Sequence, residues 1–186
     1  MRKIVIAITG ASGSVYANYL LNHINQCEYD ISIVMSKNAK YVWHHELKND
    51  DYKKYNIYDN NDFRAPFASG SSQHDTMIII PCSMGVLGRI SSGISSDLIT
   101  RCADAMLKER KKIVFVIRET PYNIIHINNM KTITEAGGII LPATPSFYSI
   151  PKNISDVIKT VVDRIFMLTS INTIDNNFYR WGNKLY

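Results

Sequence analysis

The sequence predicts an α/β fold: a doubly wound parallel sheet with helices on both faces. Three observations carry this. Near-continuous apolar runs of strand length recur along the chain, the pattern of strands buried on both faces. Stretches with helical periodicity separate them. The expected carboxyl ends of the strands read TGASG, MSK, PCSMG, RETP and PATPSFY. All five are rich in Gly, Ser, Thr or Pro, or carry charge, and in open parallel sheets ligands bind at those ends.

The elements follow in order. KIVIAIT, from Lys3, reads as the first strand and residues 15–25 as the first helix, with Gly10-Ala11-Ser12-Gly13 as a tight turn between them. YDISIVMS (29–36) is the second strand and KNAKYVWHHEL (37–47) the second helix. Residues 48–62 are polar and tyrosine-rich and read as an irregular surface excursion. TMIIIPCS (76–83) is the third strand, and the helical LITRCADAMLKER (98–110) leads to the fourth, KKIVFVIRE (111–119). Residues 123–136 read as a helix, GGIILPATP (137–145) as the fifth strand and SDVIKTVVDRIFML (155–168) as the last clear helix. No repeat or low-complexity segment interrupts the pattern, so residues 1–186 read as one domain.

Composition narrows the function. The chain is 46% hydrophobic and 20% charged, an ordinary globular balance. Its 21 basic and 16 acidic residues leave a net charge of +5, which suits an anionic ligand. No basic block with interleaved aromatics occurs, which argues against nucleic acid. Cys27, Cys82 and Cys102 form no CxxC, and their odd number argues against a disulfide framework. No apolar run approaches the ~20 residues that span a bilayer, and the chain enters its first strand without a signal-peptide segment. A cytoplasmic protein with no membrane partner is expected. Five histidines lack metal-ligand spacing, and adjacent His44 and His45 cannot both face one site on a helix, so no metal is assigned.

Gly10 to Gly13 has neither the GxGxxG spacing of a dinucleotide fingerprint nor the GK[ST] of a P-loop. Such a turn can still place a phosphate at a helix N-terminus, or it can bind nothing. The second strand ends in Ser36-Lys37 rather than the Asp or Glu that holds a dinucleotide's ribose, which favours a mononucleotide over NAD. In PCSMGVLGRISSG, Ser83 and Gly85 offer a hydroxyl and free backbone. Cys82 is either a nucleophile, for which no partner His is indicated, or a buried structural thiol. Arg118 and Glu119 end a buried strand, as a mutual salt bridge or as site chemistry. Arg101 and Lys108, seven apart, share one helix face, as a solvated stripe or an anion contact.

Taken together, TGASGSVYA, SKNAKYV, APFASGSSQHD, PCSMGVLGRISSG, RCADAMLKERKKIVFVIRETP, IHINNM, GGIILPATPSFYSIP and VVDRI resemble the UbiX/Pad1 family of flavin prenyltransferases. The segments run in family order from about residue 3 to residue 168. The resemblance implies a flavodoxin-like fold, a homo-oligomer (typically a dodecamer) and a metal-independent alkylation. Reduced FMN would accept a dimethylallyl group from dimethylallyl phosphate at N5, with ring closure at C6. Prenylated FMN would then serve UbiD-type decarboxylases. It implies that Gly10, Ala11, Ser12, Ser36, Ser83, Met84 and Arg118 contact FMN. Ser69, Gly70, Arg101, Lys108, Tyr148 and Arg164 would surround the prenyl phosphate, some from a neighbouring subunit. Ser12, Glu46, Phe63, Lys108 and Glu119 would take part in catalysis. Phe63 stands where the family commonly has Trp, Val86 replaces a common Thr, and Ser96-Asp97 falls where Asn is usual. The tail, 169–186, with Phe178, Tyr179 and Trp181, is expected to pack on a neighbouring subunit or the site entrance. Two other functions remain: an FMN-dependent cysteine decarboxylase resembling phosphopantothenoylcysteine decarboxylase, and a non-catalytic FMN-binding accessory subunit.

Overall fold

The computed structural model describes residues 1–175 and Phe178. One parallel sheet of six strands runs in the order β3-β2-β1-β4-β5-β6. The strands are β1 Arg2–Ile8, β2 Tyr29–Met35, β3 Asn56–Tyr58, β4 His74–Cys82, β5 Lys112–Ile117 and β6 Ile139–Pro142. Helices α1 Ser14–His23, α2 Lys37–Leu47, α3 Met84–Ser91, α4 Leu98–Lys108, α5 Ile124–Glu135 and α6 Ile154–Thr169 cover it. No helix among the described residues is long and apolar enough to cross a membrane.

Strand alternation divides the core. Ile4, Ile6 and Ile8 of β1 pack with Leu20 of α1, Trp43 of α2 and Phe166 of α6. Val5 and Ala7, pointing the other way, pack with Leu87 of α3, Met106 of α4 and Ile133 of α5. Burying one such large aliphatic side chain contributes roughly 1.5–3 kcal/mol, so a one-residue slip of β1 would exchange both sets of contacts and is strongly opposed.

The sheet departs from the sequence expectation in two places. Residues 48–62 are not irregular throughout: a 3-10 turn at Asp51–Lys54 leads into β3, which adds a sixth strand on the free edge of β2. Buried Tyr52 stacks edge-on against fully buried Trp43 at 5.5 Å, and Tyr55 Oη donates to the Leu21 carbonyl at 2.8 Å. Two tyrosines thus anchor a segment that is polar on its outer side. The second departure is α3, a short helix set off by its Ser83 cap, over residues that the sequence pattern had not resolved.

Leaving β3, the chain returns to β4 on the opposite side of β1. The carboxyl ends of β1 and β4 therefore flank the topological switch point, the crevice where such sheets bind ligands. On the far side of that crevice, α4 is fixed at its amino end. Asn60 accepts the Leu98 amide on its carbonyl at 2.7 Å and the Ile99 amide on Oδ1 at 3.1 Å. Asp97 accepts the Thr100 amide at 2.9 Å and Arg89 Nη1 at 2.7 Å. Burial raises the Asp97 pKa, but hydrogen bonds from the Thr100 amide, Arg89 and the Thr100 hydroxyl outweigh it and hold the carboxyl below its ordinary value. Ser96-Asp97, unusual against the family pattern, is thus a working helix cap.

Asp97→Ala should lower stability by about 1 kcal/mol, the usual cost of a lost cap, while Asp97→Asn should retain most of it. Urea denaturation of the two variants checks this. Equal losses would locate Asp97's contribution in its charge on Arg89 rather than in the cap.

Candidate active site

The turn after β1 is built around glycine. Gly13 has φ +112°, a left-handed backbone that other residues adopt only with strain. At Gly10 a Cβ would lie 2.6 Å from Asn38 Cβ, so the turn runs against the start of α2. The amide of Gly13 donates to both oxygens of Glu46 at 3.1 Å, and the Ser14 amide donates to Oε2 at 2.8 Å. Burial raises the Glu46 pKa, but hydrogen bonds from the Ser12 hydroxyl, the two amides and the Ser14 hydroxyl outweigh it and leave the carboxyl below its ordinary value. The first amides of α1 thus have an internal carboxylate as their partner. That terminus attracts any anion, and a carboxylate tethered on the adjacent helix already occupies its first amides.

Arg118 is fastened to the same turn, its Nε donating to the Ser12 carbonyl at 3.2 Å. Among the described residues it has no ion pair with Glu119, whose Oε1 accepts the Thr120 amide at 3.0 Å. Of the two possibilities for this pair, the mutual salt bridge is not formed.

Between the ends of β1, β2 and β4 lies a cavity of about 460 Å³, lined by Gly10, Ser36, Lys37, Asn38, Ser83, Gly85, Val86 and Arg89. Ser36 caps α2 by accepting the Ala39 amide at 3.1 Å, and Ser83 caps α3 by accepting the Val86 amide at 3.4 Å. A capping hydroxyl still has its own proton to donate. Two such hydroxyls, bare glycine backbone and the cations Lys37 and Arg89 make a donor set suited to the phosphate and polyol chain of FMN. Buried Ala11 and Met84 sit in the same two turns. Cys82 is fully buried and its thiol is pushed far above its ordinary range, which identifies it as a structural thiol.

A second concavity, about 640 Å³, is lined by Phe63, Arg64, Ala65, Pro66, Ala68, Ser69, Ser95 and Arg101. Phe63 is half exposed. Arg101 Nε donates to the Ala68 carbonyl at 3.0 Å. Lys108 pairs with Glu109, and a Cβ on Gly70 would collide with that same Glu109 side chain. The two basic residues of α4 therefore both border the loop 68–70, which the spacing could not show.

Tyr148 and Arg164 line a third concavity, about 420 Å³, between β6 and α6. The three concavities share no lining residue. Among the described residues, Gly10, Ser36 and Ser83 line the first concavity, Phe63, Ser69 and Arg101 the second, and Tyr148 and Arg164 the third. Phe178 packs 6.1 Å from Phe166 of its own α6, while Tyr179 and Trp181 lie outside the described residues.

Four contributors escaped the sequence. Besides Asn60, Lys111 Nζ donates to the carbonyls of Gly70 at 3.0 Å and Ser72 at 2.6 Å, holding the loop. His74 sits between the hydroxyls of Ser72 (2.7 Å) and Ser32 (3.3 Å), and burial lowers its pKa. Thr9 joins the ends of β1 and β4. The detectable signal for His74 and Thr9 was polarity at the border of an apolar run. Lys111 and Asn60 carried none.

The Flavoprotein family model matches residues 1–167. Flavin prenyltransferase UbiX of Methanocaldococcus jannaschii is 42% identical over 185 residues, covering 97% of this chain and 98% of that protein. The structure of AnUbiX, solved with FMN and dimethylallyl pyrophosphate, superposes with a TM-score of 0.92 at 39% identity, covering 98% of both chains. A dodecameric FMN-dependent UbiX-like decarboxylase from Escherichia coli O157:H7 gives a TM-score of 0.90 at 31% identity, covering 96% of this chain and 99% of that one. The cysteine decarboxylase SpaF, at 16% identity and a TM-score of 0.59, shares the fold alone. With a family model matched over residues 1–167 and about 40% identity to flavin prenyltransferases over nearly the whole of both chains, the chain belongs to the UbiX/Pad1 family of flavin prenyltransferases.

Proposed function

We propose that this chain transfers a dimethylallyl group from dimethylallyl phosphate to reduced FMN, and that the prenylated FMN it makes serves UbiD-type decarboxylases in the cytoplasm. The observation that carries this is the pairing of two concavities of different character. One, at the switch point, offers hydroxyls, glycine backbone and cations. The other sets an aromatic wall, Phe63, beside Arg101. AnUbiX, to which the chain is similar, was solved with both FMN and dimethylallyl pyrophosphate.

In this proposal Gly10, Ala11, Ser12, Ser36, Ser83, Met84 and Arg118 hold FMN. When bound and reduced, it supplies the nucleophilic N5 and C6 atoms. Ser69, Gly70, Arg101 and Lys108 hold the donor phosphate. Tyr148 and Arg164 come to it from another subunit of a homo-oligomer, of the dodecameric kind that the E. coli relative forms. As the allylic C–O bond breaks, its electron pair leaves on the phosphate, and Arg101, Lys108 and Arg164 stabilise that growing charge. Lys108 exchanges Glu109 for the more highly charged phosphate. Phe63 presents an apolar wall and a π face to the cationic allyl fragment. Ring closure needs one proton delivered to the allyl double bond and one removed from C6; Ser12 would relay the first and Glu119 accept the second.

Anaerobic incubation with reduced FMN and dimethylallyl phosphate, or with the pyrophosphate, should add one five-carbon unit to the flavin, read by mass. Unchanged flavin on a protein that binds FMN would mark an accessory subunit instead. Lys108→Ala should lower the rate by about 10²–10³ with flavin content unchanged, the scale of one lost transition-state donor. Glu119→Gln keeps size and hydrogen bonding but takes up no proton. It should still release phosphate and add the five-carbon unit to the flavin, while the absorbance of the ring-closed product fails to appear, so flavin mass and absorbance should diverge.

Acidification should loosen the flavin turn. The folded pKa of Glu46 lies below its ordinary value of 4.5. Its stabilisation of the turn is therefore complete above 4.5 and is lost as pH falls through the lower folded value. FMN titrations carried from neutral well below pH 4.5, to about pH 3, should weaken more steeply in the wild type than in Glu46→Gln, whose neutral side chain has no such transition.

A further inference from the structure

We propose that Thr9 is a positioning residue of the flavin site: its buried hydroxyl sets the distance between the turn after β1 and the turn after β4. This role rests on FMN occupying those two turns. Thr9 is 1% exposed. Its Oγ1 donates to the Pro81 carbonyl at 2.7 Å and accepts the Ser83 amide at 2.8 Å. Its own amide donates to the same Pro81 carbonyl at 3.3 Å.

The location explains the function. Register pairing between β1 and β4 ends at Ala7↔Ile79, and beyond it, among the described residues, the only backbone tie between the two strand ends is the long Thr9 amide bond to Pro81. The Thr9 hydroxyl adds two shorter bonds at the same point. Gly10 follows it directly, and both Gly10 and Ser83 line the 460 Å³ cavity. A hydroxyl has one proton to give and lone pairs to receive, so a single oxygen can serve a carbonyl and an amide at once. Valine has the same shape and can do neither. With the clip made, the cavity's two walls are fixed before ligand arrives, and the ordering cost on binding falls. Thr9 touches no ligand in this scheme; it acts through Ser83 and Gly10.

The test compares FMN titrations and steady-state kinetics of the wild type, Thr9→Val and Thr9→Ser. Thr9→Val should weaken FMN binding about tenfold and raise KM for FMN to match, with kcat at saturating FMN within about twofold, because the lost hydrogen bonds act on affinity. Thr9→Ser, which keeps the hydroxyl, should bind FMN like the wild type. A Thr9→Val protein that melts earlier yet binds FMN with unchanged affinity would make Thr9 purely structural and overturn the proposal. If the wild type itself binds no FMN, the functional proposal fails and takes this one with it. Should Thr9→Val not fold, hydrogen exchange on the FMN-free wild type decides. The Ser83 amide should be protected without ligand, and free exchange there would overturn the preset clip.

Discussion

Strand β1 is screened from water on both faces: residues 4 to 8 are fully buried between two layers of helices. Its backbone groups can be satisfied only by neighbouring strands, and β2 and β4 supply them on either side. That constraint propagates outward. A strand so enclosed leaves the layer only at its ends, and at the carboxyl ends the connections from β1 and β4 part, α1 covering one face and α3 the other. The polar groups stranded at that exit need partners, and the residues that supply them form the site. Thr9 joins the ends of β1 and β4, Ser36 N–H returns to the Ile8 carbonyl at 3.0 Å, and the Ser36 and Ser83 hydroxyls cap the helices that begin there.

Charge at this site is balanced within the chain. Glu46 occupies the first amides of α1, Asp97 takes Arg89, and Glu109 takes Lys108. In the proposed site an incoming phosphate would meet amides and cations that already have carboxylate partners. Part of the chain's excess positive charge is occupied elsewhere. Arg2 donates to the carbonyls of Thr169 and Ser170, and Lys112 to that of Leu168, closing the C-terminal end of α6. A net charge of +5 suggested an anionic ligand, yet several of its contributors serve the fold.

The division of site residues among three concavities gives oligomerisation a physical meaning. Tyr148 and Arg164 lie at the β6–α6 edge, apart from the Phe63 loop and the switch-point cavity. Around them Phe147, Ile150 and Ile154 stand exposed, and on α5 so do Ile124, Ile125 and Ile127. Such apolar exposure is what a further copy of the chain would cover.

By itself the sequence determined the order of five strands and five helices, because buried parallel strands must be continuously apolar and the segments between them must be amphipathic. It also located the ligand-bearing face, since the residues that end such strands cannot be apolar too. The glycine at position 13 was legible for the same local reason: a left-handed turn tolerates little else. Tertiary structure alone decided what each polar group does. Glu46 meets Gly13 across 33 positions, Thr9 meets Pro81 across 72, and Asn60 meets Ile99 across 39. It alone showed that residues 48–62 add an edge strand, held by tyrosines against Trp43 and α1. Local composition encodes which surfaces are buried, but a hydrogen bond between distant segments exists only once the sheet register and helix packing have fixed the distance between them.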